Sequence, residues 1–325
     1  MTKGPNQRLR EPPNEVKRLP ASLDILRCIE TDPPELDFVL PGFLAGTVGG
    51  LVAAGGVGKS TLALQAAMDI AIDVTGADLL GLGIEKHGRV VIFAGEDPDV
   101  ALHHRIRSVA TWLAPEARTA LSQGLTIVPC VGYGVDIMDP AWFEEISRVS
   151  AGARLVVIDT LTRFHSLDEN DAADAKAVMA ALERLAKITG SAVLYLHHVS
   201  KSSAMNGMAD LQQAARGSSV FVDNARWLAF VAGMTAEEAK ADAWAHLHLT
   251  DEDRRRHVRF GVTKQNYAAP MGNRWYMRCE GGALQPLEGA TEGSGADVAV
   301  NRSNGTTRAP RKVRNTQRSP RVSYV

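Results

Sequence analysis

Val48-Gly49-Gly50-Leu51-Val52 reads as an apolar strand, Ala53-Ala54-Gly55-Gly56-Val57-Gly58-Lys59-Ser60-Thr61 as a glycine turn, and Leu62, Leu64, Ala66, Ala67 and Ile70 as the apolar face of a helix. Strand, glycine turn and helix in that order are what a phosphate-binding loop requires. Glycines let the backbone fold so tightly that several N–H groups face one anion. The helix start adds unpaired donors and the positive end of its dipole. In such a loop Gly55, Gly56, Gly58 and Thr61 would wrap the phosphates, Lys59 would reach the β- and γ-phosphates, and Ser60 would hold Mg²⁺. Ala53 stands where the pattern usually has its first glycine, which alanine can replace if its φ is negative. The expected ligands are therefore ATP and Mg²⁺.

The rest of the chain extends this α/β reading. Arg89 to Gly95, Leu125 to Val128, Arg154 to Asp159 and Ser191 to His197 are strand-like runs. Helix-like stretches separate them: Asp99 to Ala114, Pro140 to Val149, and the amphipathic run Ala175 to Thr189. Alternation of this kind predicts a mainly parallel sheet flanked by helices. A short helix is expected over Ser22 to Ile29, capped by Ser22. Ser218 to Val222 and Arg226 to Val231 read as short strands, and His257 to Gln265 with Trp275 to Arg278 as an antiparallel pair extending the sheet.

Ligands of open parallel sheets bind at the carboxyl ends of the strands. Glu96, Asp159 and the pair His197-His198 all fall at such ends, together with the glycine loop. Asp159, closing an apolar strand, suits a Walker B carboxylate that holds Mg²⁺. Glu96 suits the base that deprotonates attacking water, from a strand expected beside that of the glycine loop, with Asp97 as its rival. The alternative for Asp97 is a helix cap before Pro98. His197 and His198 are adjacent on a strand and so face opposite ways, which argues against one shared metal ion and for a γ-phosphate sensor. His103-His104 reads as helix surface plus core. Arg226 and Lys264 are cations late in the chain; either could enter a neighbouring subunit's site, or simply form a surface ion pair. Lys201 and Arg216, among small residues, are candidates for a loop gripping single-stranded nucleic acid by its phosphates.

Charge divides the chain. Residues 1–20 carry a net +3, residues 301–325 hold seven basic residues and no acidic one, and the overall charge of −1 leaves −11 for the middle. We expect a flexible basic arm over 1–20, one ATPase domain over 21–288, and an Arg-rich disordered tail over 289–325. No apolar run approaches the ~20 residues of a membrane span. The three cysteines are far apart and odd in number. They predict reduced thiols and a cytoplasmic setting. Zinc-finger, helix-turn-helix and RNP signatures are all missing from the sequence.

Taken together, the motifs resemble the RepA replicative helicases of IncQ-type broad-host-range plasmids, within the RecA/DnaB-like superfamily. The likeness runs in order through Leu36 to Pro41 with Ala45 to Gly49, the glycine loop, Glu96-Asp97-Pro98 and Val157 to Leu161 with Arg163-Phe164-His165. It continues through Leu196-His197-His198 with Ser200-Lys201, Arg216 to Val220, and Val222-Asp223-Asn224 with Arg226-Trp227. Arg259 to Val262 with Lys264, Asn266 and Tyr267 completes it. The resemblance implies a ring-shaped homohexamer that hydrolyses ATP at subunit interfaces and unwinds DNA from single-stranded tails. It implies Glu96 as base, His198 as γ-phosphate sensor, Arg226 as a finger entering the neighbour's site, and Lys264 as a second trans cation. Replication initiator or primase proteins would be its partners. A nucleotide switch without unwinding, and a non-motor nucleic-acid module working through the tails, are the rival readings.

Overall fold

In a computed structural model, residues 19–198, 219–241, 244 and 247–287 are described. Helix α1 (Ile25–Glu30) precedes a small antiparallel pair, β1 (Phe38–Leu40) and β2 (Phe43–Leu44). The main body follows as β3 (Val48–Ala53), α2 (Lys59–Ala71), β4 (Val90–Ala94), α3 (Asp99–Ala110), α4 (Pro115–Gly124), β5 (Leu125–Pro129) and α5 (Pro140–Ser150). Next come β6 (Leu155–Asp159), α6 (Ala172–Thr189), β7 (Ala192–His198), α7 (Ser219–Asn224) and β8 (Trp227–Gly233). Last are α8 (Asp251–Arg256), β9 (His257–Gln265), β10 (Arg274–Arg278) and β11 (Leu284–Pro286).

Nine strands form one sheet in the order β11-β10-β9-β8-β3-β7-β6-β4-β5. From β8 through β5 every neighbouring pair is parallel, and β9, β10 and β11 join antiparallel beyond β8. Strand alternation sorts the core into two layers. Leu155 and Val157 of β6 pack with Leu62, Ala66 and Ile70 of α2, whereas Val156 and Ile158 pack with Val178, Leu182 and Leu185 of α6. Both faces are thus covered by helices, which is why the strands read as unbroken apolar runs.

Helix α2 is buried along most of its length, including the polar side chains Lys59, Gln65 and Asp69. The Gln65 amide donates to the Leu284 carbonyl at 2.8 Å and accepts from the Leu284 N–H at 2.6 Å, tying α2 to β11. Asp69, 1% exposed, accepts from the Leu79 and Leu80 N–H groups at 2.8 and 3.0 Å.

Several expectations are corrected. The cap of α1 is Asp24, which accepts from Arg27 N, and not Ser22. Residues 219–224 form a helix where Ser218 to Val222 read as a short strand, and α4 and β11 were not foreseen. Both His103 and His104 lie on the surface, with neither in the core. The strand of Glu96 is not beside that of the glycine loop, because β7 and β6 lie between β3 and β4. Asp97 caps nothing: the cap residue of α3 is Pro98, and Asp97 pairs with Arg105 at 2.7 Å.

Candidate functional site

The turn from β3 into α2 depends on glycine at two points, Gly56 with φ +78° and Gly58 with φ +110°. Ala53 closes β3 without a positive φ. Gly58 is the N-cap of α2 and provides no side-chain acceptor, so the first N–H groups of the helix remain available to an anion.

Lys59 opens α2 and is 4% exposed. Its ammonium donates to Thr160 Oγ1 at 3.3 Å and lies 3.9 Å from Asp159 Oδ1. Ser60 Oγ donates to the same Asp159 oxygen at 3.2 Å, as does Thr160 Oγ1 at 3.2 Å. These contacts follow from topology. β3 and β6 flank β7 in one parallel register, so the start of α2 and the end of β6 meet over the carboxyl end of the sheet. Burial holds the Lys59 ammonium below its usual pKa, against the pull of Asp159 and Glu96. Burial likewise pushes the Asp159 carboxyl up, opposed chiefly by Lys59. Burial opposes both charges, and across 3.9 Å each offsets part of the other's cost.

The two histidines that end β7 diverge. His198 Nε2 lies 3.5 Å from Glu96 Oε1, over the glycine loop. His197 Nε2 lies 3.0 Å from Glu169 Oε2, beside His165, whose ring is 3.3 Å from the other Glu169 oxygen. These histidines hold the Glu169 carboxyl well below the usual carboxylate range, despite its partial burial. Two adjacent residues at the end of a single strand thus address two different surroundings.

A cleft of about 300 Å³ joins Gly56, Gly58, Lys59, Ser60 and Thr61 to Glu96 and His198. Gly55 has open space on its free side. Arg105, Arg278, Gly281 and Gly282 complete the wall, and sequence reasoning overlooked all four. Arg105 is held by Asp97 through two contacts, at 2.7 and 3.0 Å. Its only sequence signal is the i, i+8 separation from Asp97, which no motif marks. Arg278 closes an ordinary antiparallel strand and carries no signal at all.

Arg226 and Lys264 lie elsewhere. The Arg226 N–H donates to the Val48 carbonyl at 2.9 Å, and β8 starts there, pairing Trp227 with Gly49. Arg226 is exposed, at the amino end of β3, roughly 16 Å of strand from the glycine loop at ~3.3 Å per residue. Lys264 pairs with Leu228 at the same end. Its ammonium donates to the carbonyls of Asp223 at 2.7 Å and Val222 at 3.2 Å, in the last turn of α7. Burial lowers its pKa, partly offset by Asp223. Lys201 and Arg216 lie outside the described residues. Among the described residues no helix is long and apolar enough to cross a membrane.

This geometry agrees with what the chain is similar to. Residues 12–204 match the AAA domain family, AAA_25. Among solved structures, one solved as an ATPase domain superposes with a TM-score of 0.51 at 16% identity, covering 81% of this chain and 96% of that one. A DnaB-like replicative helicase, solved to describe its interactions with primase, superposes with a TM-score of 0.52 at 15% identity, covering 81% of this chain and 67% of that one. At such identities these two speak for the fold, which is RecA-like. With its glycine loop, a mainly parallel sheet and more than half its length matched, the chain belongs to the AAA domain family of P-loop ATPases.

Proposed function

We propose that this chain is the subunit of a ring-shaped, ATP-driven DNA helicase, a homohexamer that hydrolyses ATP between subunits while moving on single-stranded DNA. One observation carries the reading: the groups needed at the phosphates meet at one end of the sheet, whereas Arg226 stands exposed at the other. Among the described residues of a single subunit, each cation of the cleft already has a protein partner: Lys59 has Asp159, Arg105 has Asp97 and Arg278 has the Val57 carbonyl. In the proposed ring, a neighbour's Arg226 would supply a further cation in trans to neutralise transition-state charge.

In this reading the N–H groups of Gly55, Gly56 and Gly58 and the hydroxyl of Thr61 hold the phosphates, with Lys59 across the β- and γ-phosphates. The Ser60 hydroxyl and the Asp159 carboxylate already share a hydrogen bond of 3.2 Å. Two hard oxygen donors side by side suit Mg²⁺. When bound, the ion neutralises charge on the β- and γ-oxygens. Glu96 orients the attacking water and takes its proton. His198, within reach of Glu96 at 3.5 Å, hydrogen-bonds the γ-phosphate and registers its loss. Arg226 of the neighbouring subunit completes the site. Lys264, engaged by α7, positions that helix beside Arg226 and is the weaker candidate for a trans cation.

Residues 21–288 would form the motor, with residues 1–20 as a basic arm and 289–325 as an Arg-rich tail. Lys201 and Arg216 would line the DNA channel. The motifs shared with RepA-type plasmid helicases support a plasmid replicon, with an initiator or primase as partner and a cytoplasmic setting.

The test is ATP turnover with and without single-stranded DNA, beside strand separation on tailed duplexes and sizing in solution. DNA-stimulated turnover, opened duplex and an assembly of six subunits are expected. Stimulated turnover with a duplex that never opens would refute the helicase reading and favour a nucleotide switch.

A further inference from the structure

Arg278 ends β10 at the sheet end that carries the glycine loop. Its guanidinium lies across that loop: Nη2 donates to the Val57 carbonyl, and a β-carbon on Gly58 would stand 3.0 Å from the same nitrogen. The side chain is half-buried, and burial alone draws its pKa below the usual guanidinium value. Other cations of the cleft are compensated, Lys59 by Asp159 at 3.9 Å and Arg105 by Asp97 at 2.7 Å. Among the described residues no carboxylate pairs with Arg278. A half-buried cation without an anion is costly, and one beside an anion cradle has an evident partner in the anion itself.

The mounting is firm. The turn after Arg278 packs on α3, where Ser108 Oγ donates to the Glu280 carbonyl at 3.2 Å, and a β-carbon at Gly281 would collide with that hydroxyl. Three residues after Gly281, Gln65 of α2 binds Leu284 through both amide atoms. Arg278 is thereby fixed relative to the helix that carries Lys59.

We propose that Arg278 is a phosphate-binding residue of its own subunit's nucleotide site, donating to the polyphosphate from the C-terminal strands. A guanidinium has five donors, so it can keep the Val57 carbonyl and still bind an oxyanion. The inference rests on the nucleotide-binding reading of the cleft and adds to it a second cation in cis, contributed by a part of the chain remote in sequence from the glycine loop.

The experiment titrates the full chain with a fluorescent ADP analogue and then competes the analogue off with inorganic tripolyphosphate. It uses wild type, Lys59→Ala, Arg278→Ala, Arg278→Gln and Arg278→Lys, with melting temperatures measured alongside. Loss of a charge-assisted hydrogen bond predicts about tenfold or more weaker analogue binding in Arg278→Ala and Arg278→Gln. The tripolyphosphate inhibition constant should rise by a similar factor, and Arg278→Lys should recover part of it. Arg278→Gln keeps most of the side-chain volume and serves if Arg278→Ala fails to fold. Unchanged affinity overturns the proposal. So does tighter binding, which would mean that the guanidinium blocks the loop. Weaker analogue binding with tripolyphosphate unaffected also overturns it, because Arg278 would then read sugar or base. If wild type itself shows no binding that depends on Lys59, the nucleotide reading falls first and this inference with it.

Discussion

The two ends of β3 differ in how their polar groups are satisfied. At the carboxyl end, side chains from β3-α2, β6, β4, β7 and β10 crowd one cleft, and buried Lys59 and Asp159 both sit away from their ordinary pKa values. At the amino end Lys264 is spent on the carbonyls of α7, while Arg226 reaches solvent. At one end charged side chains are buried and paired with one another; at the other, among the described residues, Arg226 is exposed with no salt-bridge partner. In the proposed ring, Arg226 at the amino end of one subunit would serve the phosphate cleft of the next.

The sharpest way to break the comparison is Lys59→Ala. It should abolish ATP turnover, a fall of about 10³-fold or more for a residue aimed at transferring phosphoryl charge. Hydrolysis that survives in a steady-state assay would remove the glycine loop from the chemistry. Glu96→Gln should cost about 10²- to 10⁴-fold in turnover while the affinity for nucleotide changes little. Equal losses in both would make Glu96 a binding group and leave the base unassigned.

A smaller effect belongs to the quiet end. Asp69 lies ten residues along α2 from Lys59, roughly 15 Å at ~1.5 Å per residue. Burial, opposed by the N–H groups of Leu79 and Leu80, pushes its carboxyl up to about 8. A carboxyl with a folded pKa above its unfolded value contributes stability that is complete below the unfolded pKa. That contribution is lost as pH rises through the folded one. Stability should therefore decline between about pH 4 and pH 8, by at most ~1.4 kcal/mol per pH unit, and level off above. Asp69→Asn should flatten this slope in denaturant midpoints measured across pH 5 to 9. Parallel profiles for both proteins would show that Asp69 does not titrate there.

How much of this was legible follows the same division. The carboxyl end could be read because buried parallel strands are continuous apolar runs ended by polar residues: Glu96 and His198 line the cleft and Asp159 lies against Lys59 and Ser60, whereas His197 turns to Glu169. Strand order was not legible, since periodicity carries no information about which strand lies next to which. That is why β4 was expected beside β3. The wall formed by Arg278, Gly281 and Gly282 was invisible because it depends on a tertiary contact between the C-terminal strands and α2, with no local pattern. Residues 219–224 became helix against the β-branched preference of Val220 and Val222. Helix packing against α6 and Lys264 at its last carbonyls outweigh that weak bias.

The shared site is tested most directly by mixing subunits. Arg226→Ala and Glu96→Gln should each be nearly inactive alone. In a mixed assembly, some interfaces join the intact Glu96 of one subunit to the intact Arg226 of the other. ATP turnover should then rise well above either variant alone, peaking at intermediate ratios. Mixed assemblies shown by differential tagging to contain both variants, yet with no recovered turnover, would contradict a site completed by Arg226 from the neighbour.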